Sequence, residues 1–110
     1  MVEHLQEYMC HYMEQKSDHL KGCLLAALNS SEGYLGLLIE SLGTPVLSDE
    51  IRNSELLVDA GLFWEEIRIT RNGRNHYKLF YLTLQGRRLA EQIKEEGFEG
   101  ELPENAVPAI

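Results

Sequence analysis

The chain has 110 residues, of which 44% are apolar and 25% charged, a composition typical of one small globular domain with its own core. Its formal net charge of −8 argues against indiscriminate binding to nucleic acid. No apolar run approaches the ~20 residues of a membrane span, and MVEHLQEYMC does not resemble a secretory signal, so we expect a cytoplasmic protein with no membrane partner.

The first half of the chain predicts four helices. Apolar residues at helical spacing predict an amphipathic helix over 2–15, and Ser17 or Asp18 can cap a second helix that Asn29 ends. A third helix is expected to run to Gly43, and a fourth over about 46–60. The residues expected on the buried sides of the third and fourth helices are Tyr34, Leu35, Leu38, Ile39, Leu42, Leu47, Ile51, Leu57 and Val58.

The second half predicts a hairpin, a helix and a tail. Alternating apolar residues over 67–70 and 77–81 flank Asn72-Gly73, a dipeptide that favours a two-residue turn with positive φ at both positions. Thr83 can cap a last helix that carries Leu84, Leu89 and Ile93 and ends at Gly97. Residues 97–110 are acidic and contain proline, which predicts a flexible tail. We therefore expect a mainly α chain with a small β-hairpin, in the α+β class.

Charge is segregated along the chain. Residues 67–90 contain six Arg or Lys and no Asp or Glu, whereas the other 86 residues hold four basic and 18 acidic side chains. Such segregation creates a local positive field despite the negative total. The hairpin is therefore the candidate site for a polyanion, although solvated charges at a hairpin tip would explain the same residues.

Three segments resemble a known family. LLIESLG (37–43), LLVDAGLF (56–63) and YLTLQGRRLAEQI (81–93), together with the Asn-Gly hairpin, resemble winged helix-turn-helix regulators of the multiple-antibiotic-resistance and arsenic-repressor types. The resemblance covers about residues 20–95. It implies a winged helix-turn-helix domain over 17–96, including its C-terminal helix, preceded by a dimerisation helix over 1–16. It also implies a homodimeric transcriptional regulator that binds double-stranded DNA.

The resemblance assigns roles to residues of the hairpin and of the fourth helix. The wing would contact phosphates or the minor groove, and the fourth helix would enter the major groove. The fourth helix departs from the family pattern because Asp49 and Glu50 would be repelled by phosphate. The candidate DNA-binding residues are Arg68, Arg71, Asn72, Arg74, Asn75, His76 and Lys78 in the wing, and Ser48, Arg52 and Asn53 in the fourth helix.

The outer helices of the resembled family form a dimer. The first helix carries an apolar stripe that must pack against something, either its own domain or a partner. With the last helix it would form a two-fold interface that places two wings on one face. The candidate interface residues are Leu5, Met9, Tyr12, Leu89 and Ile93.

Few residues of the sequence support a function other than DNA binding. His19 and Cys23 share a helix face, but paired metal-binding motifs are absent, so no metal or other cofactor is expected. Cys10 is expected to be a small buried hydrophobe, with oxidant sensing as the alternative. No catalytic motif is present and no enzyme is expected. The alternative to DNA binding is a winged-helix module that binds a basic protein through its acidic fourth helix; the sequence names no effector.

Overall fold

The computed structural model describes the backbone of residues 2–107 and the side chains of residues 16–107. Within that range the chain forms three helices and one four-stranded antiparallel sheet, so the predicted α+β class is confirmed. In chain order the elements are α1 (Val2–Asn29), β1 (Tyr34–Ser41), β2 (Thr44–Pro45), α2 (Asp49–Asp59), β3 (Phe63–Ile69), β4 (Asn75–Leu82) and α3 (Leu84–Glu96).

The sheet has the strand order β2-β1-β4-β3. The predicted hairpin is β3–β4, in which Phe63 lies opposite Leu82 and Ile69 opposite His76. On its other side β4 pairs with β1, and Tyr34 lies opposite Tyr81. The register of this second pair shifts between Leu38 and Glu40, which marks an irregularity near the end of β1.

Alternation along the strands divides the sheet into two faces. One face packs against the helices, and its buried side chains include Leu35, Leu37, Phe63 and Phe80. The opposite face carries a smaller cluster of buried residues, which we call the tyrosine face: Tyr34, Tyr77 and Leu79, with Leu38, Tyr81 and Val107 packed against them.

The third predicted helix is wrong, because residues 34–41 form β1. Strand β1 is central, and its first four residues are buried from both sides of the sheet. A strand covered on both faces has a continuous apolar run instead of an alternating one, and such a run cannot be told from a buried helix by its period. Helix α2 is therefore preceded by a β-hairpin, and the helix-turn-helix pair expected over 30–60 is not formed.

The N-terminal segment also differs from expectation. Two helices were predicted with a break at Ser17 or Asp18, but α1 is continuous from Val2 to Asn29. Both residues are exposed, where a short polar side chain is tolerated within a helix that is stabilised by packing elsewhere.

Helices α2 and α3 lie close to where the sequence predicts them, and Leu57 and Ile93 are buried as expected, but other residues expected on their buried sides are exposed. Ser48 caps α2 and Thr83 caps α3, each accepting a hydrogen bond from a backbone N–H three residues ahead. Leu47 precedes α2 and is 86% exposed. Leu84 and Leu89 are also exposed, because α3 faces the core with its small residues, Gly86 and Ala90, and with Ile93.

Residues 98–107 lie against the domain. The Gly36 N–H donates to Asn105 Oδ1 (2.6 Å), and the Ala106 N–H donates to the Gly36 carbonyl (2.7 Å). Phe98 packs against the main core and Val107 against the tyrosine face. This part of the segment predicted to be flexible therefore covers the edge of β1 where β2 does not reach.

Candidate nucleic-acid interface

The tip of the β3–β4 hairpin is a hydrogen-bonded loop over residues 70–75. The Thr70 N–H donates to the Asn75 carbonyl (3.0 Å), and the Gly73 N–H donates to the Thr70 carbonyl (2.8 Å). Asn72 Oδ1 accepts from the Arg74 N–H (2.9 Å) and from Thr70 Oγ1 (2.7 Å). Asn72 is therefore a structural residue of the tip.

The expected turn with two positive φ angles is found elsewhere. Gly73 has φ +70°, but among residues 2–107 the only non-glycine residue with positive φ is Leu42 (φ +52°). Leu42 and Gly43 (φ +78°) form the two-residue turn between β1 and β2. The Asn72-Gly73 hairpin is confirmed, but it closes through a longer loop in which the Asn72 side chain provides the hydrogen bonds.

The β1–β2 turn braces the hairpin tip. The Leu42 N–H donates to the Arg74 carbonyl (2.7 Å), and Ser41 Oγ donates to Asn75 Oδ1 (2.9 Å). Asn75 is therefore held between two strands. The role of Ser41 and Leu42 has no local sequence signal, because it depends on the pairing of β1 with β4.

Arg71 and Arg74 project from this braced tip. Both side chains are exposed. Within the described residues neither guanidinium forms an ion pair with a carboxylate. Two positive charges are thus presented to solvent on a loop whose backbone is fixed by hydrogen bonds.

Lys78 is held by two carboxylates that come from other elements. Its Nζ lies 3.2 Å from Glu55 Oε1 on α2 and 3.1 Å from Glu65 Oε2 on β3, and its side chain is 17% exposed. Burial by itself lowers the pKa of Lys78, but the hydrogen bonds from Glu65 and Glu55 outweigh this effect and the pKa lies above its ordinary value. Lys78 is therefore a neutralised part of the interface between sheet and helix.

His76 lies beside a carboxylate in the same way, with its Nδ1 3.1 Å from Glu40 Oε2. The absence of carboxylates from residues 67–90 thus does not persist in three dimensions. The fold brings Glu40, Glu55 and Glu65 to the basic strand, and only strand pairing and helix packing could reveal these neighbours.

Arg68 belongs to the tyrosine face. Its guanidinium carbon lies 5.7 Å from the centroid of the Tyr34 ring, within the range of a cation–π contact. Trp64 stacks on Tyr81 at 4.2 Å, and Tyr81 meets Tyr34 edge to face at 5.5 Å. Sequence reasoning did not find this aromatic group, although the alternation of Trp64 with Glu66 and Arg68 was a signal for one shared face.

The three candidate residues of α2 are placed differently from one another. Ser48 accepts the Ile51 N–H as the helix cap (3.2 Å), and Asn53 is buried. Arg52 is exposed and lies in a groove between α2 and the strands β1 and β2. Of the three, Arg52 alone is free to reach a base edge.

The candidate dimer residues are only partly described. Leu5, Met9 and Tyr12 lie in α1, but their side chains fall outside the described residues, as does that of Cys10. Leu89 is 36% exposed, whereas Ile93 is 4% exposed and packs in the monomer core. Ile93 therefore has little surface to offer to a partner.

The described residues hold no other evident site. A shallow cavity of about 530 Å³ lies between α1, α2 and residues 98–103, and the buried Cys23 thiol and exposed His19 line it. Burial raises the pKa of Cys23. In the described part of the chain no three His, Cys, Asp or Glu residues converge as metal ligands, and no helix is both long and apolar enough to cross a membrane.

Comparisons with known proteins returned no family model, no curated protein and no solved structure that matches this chain.

Proposed function

We propose that this protein binds double-stranded DNA through the tip of the β3–β4 hairpin and acts as a transcriptional regulator. The observation that carries the proposal is the pair of exposed guanidinium groups of Arg71 and Arg74 on a braced loop. Arginines in this setting neutralise phosphates and release counterions, and they favour a narrow minor groove.

The charge distribution supports a localised contact. Lys78 and His76 already lie beside carboxylates, so their contribution to an external polyanion is reduced. The exposed Asp49 and Glu50 at the start of α2 would be repelled by phosphate, so we assign α2 a minor role, with Arg52 as its one base-reading candidate. DNA contact is therefore concentrated at the hairpin tip.

A relationship to winged helices remains part of the proposal. The order helix, hairpin, helix over residues 49–96 supports it, because β3–β4 then takes the position of the wing and α2 that of the recognition helix. The rival role, a protein-binding module, would use the exposed acidic start of α2 against a basic partner.

The test compares two double variants with the same change of charge. Arg71→Ala/Arg74→Ala removes the tip charges, and Arg87→Ala/Arg88→Ala removes two exposed arginines from α3, at the other end of β4. Fluorescence anisotropy with a labelled duplex, at low and at physiological salt, measures affinity. We expect the tip variant to lose about tenfold or more in affinity and to reduce the log–log salt slope by about 2.

The α3 variant should retain most of the wild-type affinity. Equal losses in both variants would mean that net charge, and not the tip, governs binding. No binding by the folded wild-type chain at low salt would overturn the proposal and favour the acidic surface of α2, where Asp49→Asn/Glu50→Gln is the variant to examine.

A further inference from the structure

The two edges of the sheet differ in how well they are protected from pairing with another strand. At one edge β2 has two residues and includes Pro45, and the backbone of Gly36 on β1 is hydrogen-bonded to Asn105 and Ala106. These are common ways to protect an edge. At the other edge β3 has seven residues without proline, and six of them are exposed.

The outward backbone groups of β3 can be identified from its pairing with β4. The Thr83 N–H donates to the Leu62 carbonyl (3.1 Å) and the Thr70 N–H to the Asn75 carbonyl (3.0 Å), so both ends of the ladder are hydrogen-bonded pairs. In an antiparallel pair every second residue points toward its neighbour strand. The N–H and C=O groups of Phe63, Glu65, Ile67 and Ile69 therefore point away from β4.

We propose that β3 pairs antiparallel with β3 of a second copy of this chain, with Ile67 opposite the partner's Ile67. A two-fold axis perpendicular to the sheet keeps paired residues on the same face, so each register is defined by the residue at its centre. The registers that pair at least five of the seven residues are centred on Glu65, Glu66 or Ile67.

Charge complementarity selects among these three registers. Centres at Glu65 and Glu66 place a glutamate directly opposite the same glutamate of the partner, which is destabilising. The centre at Ile67 instead places Arg68 opposite the partner's Glu66, and by symmetry this opposite-charge pair occurs twice. In this register Glu65 and Ile69 also meet through their outward backbone groups, which adds hydrogen-bonded pairs on both sides of Ile67.

The apolar surface of the edge supports the same occupant. Ile67 is 57% exposed, Ile69 54% and Trp64 50%. Pairing places Ile67 against the partner's Ile67, so both side chains are covered. It also places the partner's Arg68 diagonally across from Trp64, where the guanidinium can reach the indole ring. An identical strand therefore offers both apolar and oppositely charged partners to this edge.

The dimer has a consequence that rests on the proposed function. Asn72 and Gly73 lie five to six residues beyond Ile67, and a strand rises about 3.3 Å per residue. Only the residues up to Thr70 add this rise, because residues 70–75 form the closing loop, so the two loops would begin about 20 Å apart, on opposite sides of the axis. The dimer would therefore present two basic tips, one on each side of its axis.

The first test uses a substitution that affects only the outward side of β3. Ile67→Pro removes the N–H that would form both central hydrogen bonds of the dimer, but the monomer loses no ladder bond. Ile67→Ala shortens the same side chain and keeps the N–H, so it is the matched control. In sedimentation velocity without DNA, we expect the wild type to dimerise with concentration and Ile67→Pro to dimerise at least about tenfold more weakly than Ile67→Ala.

Trp64 supplies a second readout, because it is the only tryptophan in the chain. Its emission should shift to shorter wavelength as the wild type dimerises, with the same midpoint as the change in sedimentation. Circular dichroism at low concentration checks that each variant is folded.

The second test examines the register and does not depend on proline. Arg68→Glu and Glu66→Arg each place like charges opposite each other twice, and we expect about tenfold weaker dimerisation for each. The double variant Glu66→Arg/Arg68→Glu should restore dimerisation to near the wild-type level. A monomeric wild type at millimolar concentration, or a dimer that none of these variants weakens, would overturn the proposal. Because DNA is absent, either result is independent of the test of the hairpin tip.

Discussion

Three side chains in this protein have pKa values raised in the folded state, each with a carboxylate as a hydrogen-bond partner. Lys78 has a raised pKa because Glu65 and Glu55 outweigh the effect of its burial. The pKa of Tyr34 is raised, above all by its hydrogen bond to Glu32. That of Tyr81 is raised by burial and then by its hydrogen bond to Glu66. All three groups therefore hold their protons more tightly in the folded chain.

This predicts a loss of stability in alkaline solution. The contribution is fully present below the ordinary pKa values of 10.0 for tyrosine and 10.5 for lysine, and it is lost as pH rises through the higher folded values. The free energy of unfolding, measured with urea between pH 8 and 11, should therefore fall from about pH 10 upward. For the Tyr81→Phe variant the free energy of unfolding should fall less steeply with pH. A pH profile identical to that of the wild type would contradict the role of Tyr81.

At the scale of the element, contacts made by Thr83 and by the first turn of α3 hold this helix against the end of α2. Thr83 Oγ1 donates to the Gly61 carbonyl (2.7 Å) and accepts from the Gly86 N–H (3.0 Å), so it joins the end of α2 to the start of α3. A Cβ at Gly86 would collide with the Leu62 carbonyl oxygen. Thr83 and Gly86 thus act together, one as the cap and the other as the point of close approach.

Gly86→Ala should destabilise the fold. The helix itself would favour alanine, but the neighbouring backbone cannot move without disturbing the entry to β3, so we expect a loss of about 2 kcal/mol or more in the free energy of unfolding. Gln85→Ala changes the adjacent exposed residue and should have little effect. Urea denaturation of both variants measures the difference, and equal stabilities would show that the contact relaxes freely.

At the scale of the whole molecule, residues 98–107 bind the segment after α3 to β1 and to the α1–β1 connection. Asn105 accepts the Gly36 N–H on β1 and donates through Nδ2 to Ser30 Oγ (3.1 Å) in the α1–β1 connection. Gly36 has no side chain, and a Cβ there would collide with a methyl group of Val107. The segment therefore docks where β1 leaves room for it.

Asn105→Ala should release this segment without unfolding the domain. It removes the acceptor of a buried backbone N–H, a loss of about 1 kcal/mol in the free energy of unfolding. Hydrogen exchange at the Gly36 amide should accelerate, and limited proteolysis should cut within residues 98–107. Glu104→Ala, at the adjacent exposed position, is the control. Unchanged exchange at Gly36 would show that other contacts hold the segment.

How much of the structure is predictable from the sequence depends on whether a signal is local. The cap at Thr83, the end of α3 at Gly97 and the Asn72-Gly73 hairpin follow from short-range chemistry, and the structure agrees with each. Strand β1 was predicted to be a helix, because burial on both faces removes the alternation that identifies a strand.

The same distinction between local and distant signals applies to the candidate site. The sequence by itself determined that residues 67–90 hold six basic side chains and no carboxylate, and that Arg71 and Arg74 lie at the tip of the hairpin, since turn chemistry fixes where the chain reverses. Only the tertiary structure decided which of those charges are free. Glu55 and Glu65 reach Lys78 and Glu40 reaches His76 through the packing of α2 and the pairing of strands, and Asn53 is withdrawn into the core. These neighbours are distant in sequence, so no local pattern encodes them.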